Sequence, residues 1–140
     1  MTTTPVPSFS KQFSEPIWHL KVDSKTGKLA IETRGEEELN SNLYVLDTSN
    51  LELTKAELPI ESDWWTTLWG VAGDQLIIAQ YQQQQNPGPV RLVIVDYIKQ
   101  SILIDKSKFQ LESLNDNRIK GKYETDNEEL ADFSFDLRDD

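Results

Sequence analysis

From Pro16 onward the chain is a succession of short apolar runs, each of strand length and each stopped by turn residues. The runs lie at 17–22, 28–33, 42–47, 51–57, 64–71, 75–81, 90–97 and 101–105, with weaker ones at 109–114, 118–123 and 130–137. They are rich in Leu, Ile, Val, Trp and Tyr, residues that suit a pleated, half-buried surface. No window sustains a helical period over three turns; the one helix candidate, 126–130, is short. The chain is therefore expected to be all-β.

The breaks explain why the runs stop. Asp23-Ser24-Lys25-Thr26-Gly27 supplies an aspartate that can bond local backbone and a glycine that tolerates positive φ. Asp47-Thr48-Ser49-Asn50 and Ala72-Gly73-Asp74 have the same chemistry, and Asn86-Pro87-Gly88-Pro89 cannot sit inside a central strand. Such closely spaced turns favour antiparallel neighbours, so the expected topology is a meander.

The runs also repeat. Trp18 and Trp65 stand 47 residues apart (65 − 18), as do Leu29 and Leu76 (76 − 29), while Asp47 and Asp96 stand 49 apart (96 − 47). Each copy reads as a Trp strand, a turn with Gly, an apolar strand, a variable loop, an apolar strand ending in Asp, a tight turn and a last strand. Four strands in a unit of that length suggest propeller-like blades. Leu76-Ile77-Ile78-Ala79 and Leu92-Val93-Ile94-Val95 are continuous rather than alternating, as expected where both faces of a sheet are covered. The expected division is a loose arm over 1–15, pinned by Phe9 and Phe13, then units at 16–62, 63–110 and a partial third at 111–140. Two full units and part of a third leave the assembly open, or completed by self-association through the incomplete edge.

Composition limits function. With 24 acidic against 14 basic residues the net charge is −10, which repels nucleic acid and anionic membranes. The basic side chains of 106–122 are interleaved with Asp105, Asp116 and Glu124 and read as solvated strand edges. The absence of Cys removes thiolate chemistry and sulfur-ligated zinc. The opening residues show neither a basic stretch nor an apolar core of a secretory leader, and Leu76–Ala79 is too short an apolar run to span a bilayer, so a soluble, cytoplasmic protein is expected.

Chemistry-bearing sets are sparse. His19 is the sole histidine, which disfavours a zinc site and leaves a triad without a placed serine and carboxylate. Glu36-Glu37-Glu38 reads as a solvated loop, Gln82-Gln83-Gln84-Gln85 as low complexity, and Gly70 and Gly73 do not form a phosphate cradle. No catalytic residue, metal or cofactor is expected. Trp64, Trp65 and Trp69 are the candidate ligand-binding residues, able to stack on a sugar or hold a peptide anchor if exposed, and to pack sheets together if buried. The expected role is non-catalytic binding or scaffolding with a protein partner or a second copy; the alternative is carbohydrate binding or turnover through surface Trp.

Three segments resemble a bacterial uncharacterised family, domain of unknown function 4905. Phe9-Ser10-Lys11-Gln12-Phe13-Ser14-Glu15-Pro16-Ile17-Trp18 is similar to its start. Trp64-Trp65-Thr66-Thr67-Leu68, Gln80-Tyr81 and Val93-Ile94-Val95-Asp96 are similar to its second unit. Asn115-Asp116-Asn117-Arg118-Ile119, Tyr123 and Phe135-Asp136-Leu137 are similar to its third. The turn Tyr97-Ile98-Lys99-Gln100 lacks the Thr-Gly and following Trp of the family pattern, so no quinone-type cofactor is carried over. The resemblance implies architecture and no mechanism.

Overall fold

The computed structural model describes residues 11–13, 15–35, 40–59, 66–81, 90–115 and 118–137. Ten strands run through them: β1 (Ile17–Asp23), β2 (Lys28–Gly35), β3 (Asn40–Asp47), β4 (Glu52–Ala56), β5 (Thr66–Ala72), β6 (Gln75–Tyr81), β7 (Val90–Asp96), β8 (Ser101–Asn115), β9 (Arg118–Glu124) and β10 (Leu130–Asp136). They form two antiparallel meanders, a four-stranded sheet in the order β1-β2-β3-β4 and a six-stranded sheet in the order β10-β9-β8-β7-β6-β5. No helix occurs among the described residues, and 126–128, inside the one candidate helix, form a turn with Glu128 at φ 61°.

Aspartates close the hairpins. Asp23 accepts hydrogen bonds from Lys25 N (3.1 Å) and Thr26 Oγ1 (2.6 Å), and Gly27, at φ 74°, donates to the Asp23 carbonyl. Asp47 accepts from Ser49 N and Oγ, and Asp96 from Ile98 N and Lys99 N. These are Asx-type turns, in which a short carboxylate satisfies the backbone donors that a reversing chain would otherwise strand. The central hairpins share one register: Leu29 faces Leu46 and Lys28 faces Asp47, as Leu76 faces Val95 and Gln75 faces Asp96.

The continuous apolar runs of β6 and β7 are buried on both faces. Leu76, Ile78, Val93 and Val95 pack with Ala30, Leu43, Val45 and Ala56 of the first sheet, closing the space between the sheets. Ile77, Ala79, Leu92 and Ile94 point the other way and pack with Phe109, Ile119 and Leu137, with Phe133, Phe135 and Tyr123 against them.

That second core exists because β8 is long and bent. Straight, its 15 residues would span roughly 50 Å, more than twice the length of its neighbours. Instead Leu92 faces Lys106 while Val90 faces Phe109, a bulge that contains Lys108 at φ 53°. Before the bulge β8 pairs with β7; after it, with β9, and the β9–β10 hairpin folds across the back of β6 and β7. The end of β8, with β9 and β10, is thus continuous with the second sheet. Gly121 permits the fold-over, because a side-chain carbon there would overlap the Phe109 ring and the Gln110 carbonyl.

The segment before β1 lies on the first sheet. Phe13 packs on Tyr44 with ring centroids 4.9 Å apart, and Glu15 accepts from Thr33 Oγ1 and Asn42 Nδ2. Phe9 lies outside the described residues.

Candidate functional site

Three features stand out against this scaffold: a buried ion cluster, a strand facing the unexpected way, and a cleft beside Trp69.

The ion cluster sits where β1 and β2 meet β5. Glu32 is fully buried, and its Oε1 accepts from Leu68 N (2.9 Å) and Thr67 Oγ1 (3.3 Å) and meets His19 Nδ1 at 2.9 Å. Its Oε2 accepts from Arg34 Nε at 2.6 Å, and Arg34 in turn donates to the Thr66 carbonyl. The Trp18 indole covers the guanidinium at 5.1 Å. A buried carboxylate is tolerated only with such a complete set of donors. The arrangement is not a hydrolytic triad. A triad places its nucleophile on Nε2 when the carboxylate holds Nδ1, whereas the Thr67 hydroxyl lies 3.3 Å from Nδ1, on the carboxylate side. The set joins two sheets. Lys28 and Asp23 add to that join at the turn end: Lys28 Nζ bonds Asp74 (2.6 Å) and Tyr97 Oη (3.1 Å), and Asp23 Oδ2 accepts from Gly73 N (2.7 Å). Burial pushes the Lys28 ammonium toward losing its proton, but the bonds to Asp74 and Tyr97 outweigh it and raise the pKa.

The strand that faces the unexpected way is β1. Its residues alternate, and burial would ordinarily take the apolar set inward. Here His19, Lys21 and Asp23 face the second sheet, while Leu20 and Val22 are 53% and 69% exposed and Ile17 and Trp18 about half exposed. Leu20 and Val22 stand opposite the buried Ile31 and the half-buried Leu29 in the register, so on the outward face of the first sheet the exposed apolar side chains are those of β1. β1 is also an edge strand.

Of the aromatic candidates, Trp64 and Trp65 lie outside the described residues. Trp69 is the extra residue of a bulge in β5, between Leu68 opposite Ile78 and Gly70 opposite Ile77. It is half buried, packs on the second core, and lines a cleft of about 290 Å³ with Lys21, Lys25, Val71, Leu114 and Leu137. Glu36–Glu38 and Gln82–Gln85 are likewise outside the described residues. Among the described residues no group of three or more His, Asp or Glu converges to hold a metal ion, and no helix is long and apolar enough to cross a membrane.

Sequence reasoning missed the ion cluster and the outward apolar face. The first had a signal: Glu32 and Arg34 share parity with the apolar Ala30 of β2, an arrangement that requires partners if that face is buried. The second had none, because one sequence does not say which parity of a two-faced strand turns inward.

A family model described as Domain of unknown function (DUF4905) matches residues 22–104. No curated protein matches the chain.

Proposed function

We propose, for a chain that belongs to the DUF4905 family, that it is a non-catalytic binding module whose docking surface is the outward face of the first sheet. One observation carries this reading: β1 turns its polar parity inward and leaves Leu20 and Val22 in solvent. Large apolar side chains gathered on one sheet face are costly to leave hydrated, and such patches mark interaction sites. Burying a Leu or Val there contributes about 1.5–3 kcal/mol each, enough for a few such contacts to support association. The shared register of the β2–β3 and β6–β7 hairpins supports two related sheet units, each of the propeller-like kind, and a propeller-like unit is covered on both faces. The second sheet has both faces covered; on the first, Phe13 and Glu15 lie over Tyr44, Thr33 and Asn42, and the exposed apolar side chains are those of the edge strand β1. The occupant of this reading is an apolar sheet surface of a partner protein.

The test is affinity capture with the wild-type chain and with Leu20→Glu/Val22→Glu, both checked for the same unfolding transition. The expected result is one stoichiometric partner, retained by the wild type and lost by the variant. Equal recovery on both baits, or background alone with a strictly monomeric chain in light scattering, contradicts the reading.

A further inference from the structure

The Trp69 cleft has a chemistry that the docking face lacks. Its lining is mixed: Trp69, Ile77, Leu114 and Leu137 give it an apolar side, and Lys21, Lys25, Ser24 and Asn115 a polar one. Lys21 belongs to the inward parity of β1 and Lys25 to the turn that follows it, so strand register and turn geometry bring both residues into the lining. Among the described residues neither is within ion-pair distance of a carboxylate, in contrast to Lys28, Arg34, Arg91 and Arg118, which are all paired. The one carboxylate in the lining, Asp23, is committed: Oδ1 accepts from Lys25 N, and Oδ2 from Thr26 Oγ1 and Gly73 N.

Two ammonium-bearing side chains that are unpaired among the described residues thus share a cleft with an indole, in a chain of net charge −10. We infer that this cleft binds a small amphipathic anion: a flat apolar ring laid against Trp69, with one carboxylate toward Lys21 and Lys25. A lining that is part apolar and part charged suits a ligand of the same division, and the volume, about 290 Å³, lies at the lower end of small-molecule sites, matching one or two rings rather than an oligosaccharide. Aromatic stacking supplies affinity, and the lysines supply the preference for a charged over a neutral ring. Val22 borders both the cleft and the outward face of the first sheet, but Lys21, Lys25 and Trp69 take no part in the docking face, so variants at those residues read the cleft apart from protein docking.

The test is calorimetric titration of the full chain with three probes: 1-naphthoate, the neutral 1-naphthalenemethanol, and methyl glucoside. Saturable one-to-one binding of 1-naphthoate is expected, about tenfold weaker for the neutral alcohol and absent for the saccharide. Trp69→Leu should weaken both aromatic probes. Because Trp69 also packs on the second core, the deciding variant is Lys21→Gln/Lys25→Gln, which should bring naphthoate down to the affinity of the alcohol while leaving the alcohol unchanged. No saturation by naphthoate up to about 10 mM, equal affinity for anion and alcohol in the wild type, binding of the saccharide alone, or a naphthoate affinity indifferent to the lysine pair would each overturn the assignment.

Discussion

Glu32 shows how one side chain can decide the relation between two sheets. Its two oxygens gather a strand amide, a hydroxyl, an imidazole and a guanidinium, with no solvent to share the charge. Removing one member of such a set strands the others, so Glu32→Ala should lower the unfolding free energy by about 3 kcal/mol in urea denaturation, with the Arg34 guanidinium left buried and unpaired. The double variant Glu32→Leu/Arg34→Met should recover most of that loss; a double variant as unstable as the sum of its parts would contradict this account of the cluster. The exposed pairs behave differently. The Arg91 guanidinium, bonded to both oxygens of Asp105, holds that carboxyl below its ordinary value against a smaller opposing effect of burial. A depressed folded pKa contributes stability above the ordinary carboxylate range and loses it as pH falls through the depressed value. Thermal midpoints of wild type and Arg91→Met should therefore differ near neutral pH and converge as the pH is taken below the depressed value of Asp105. A gap that stays constant on acidification would show that Arg91 acts through packing alone.

At the scale of elements, the apolar runs and their turn residues placed nearly every strand within a few residues of where it lies, because short β-structure is written locally. Asp23, Asp47 and Asp96 each close a hairpin by bonding backbone donors two or three positions away, and nothing distant is needed for that. The runs at 101–105 and 109–114 are a single strand, β8, since the ladder passes through the polar stretch between them by way of a bulge. That continuity depends on β7 and β9 as partners and has no local signature. Lys108 occupies the left-handed region there, so Lys108→Val should destabilise by about 1–2 kcal/mol, while Lys108→Gly stays within about 0.5 kcal/mol of wild type. Gly121→Ala should cost about 1–3 kcal/mol by overpacking against Phe109. Both are read by urea denaturation. A neutral Gly121→Ala would mean that β9 can shift away from β8 without loss.

For the molecule as a whole, the sequence is explicit about class and silent about cover. Runs such as Leu92-Val93-Ile94-Val95 signal that both faces of the second sheet are hidden, yet the covering of its back by β9 and β10 follows only once β8 bends. Residues 17–22 read as an ordinary strand, and the inward turn of His19 and Asp23 becomes visible only beside their partners Glu32 and Gly73. Of the candidate tryptophans, Trp69 lines a cleft whose cationic wall comes from another strand and its turn, a juxtaposition produced by sheet packing rather than by spacing. The outward apolar face of β1 is what the binding account depends on. It is tested most directly by methyl resonances of Ile17, Leu20 and Val22 in dilute protein with a soluble paramagnetic agent. Attenuation matching that of the exposed Leu130, and disappearing on addition of the captured partner, is the predicted result. Methyls of Leu20 and Val22 as protected in the free chain as those of the buried Val93 would contradict it.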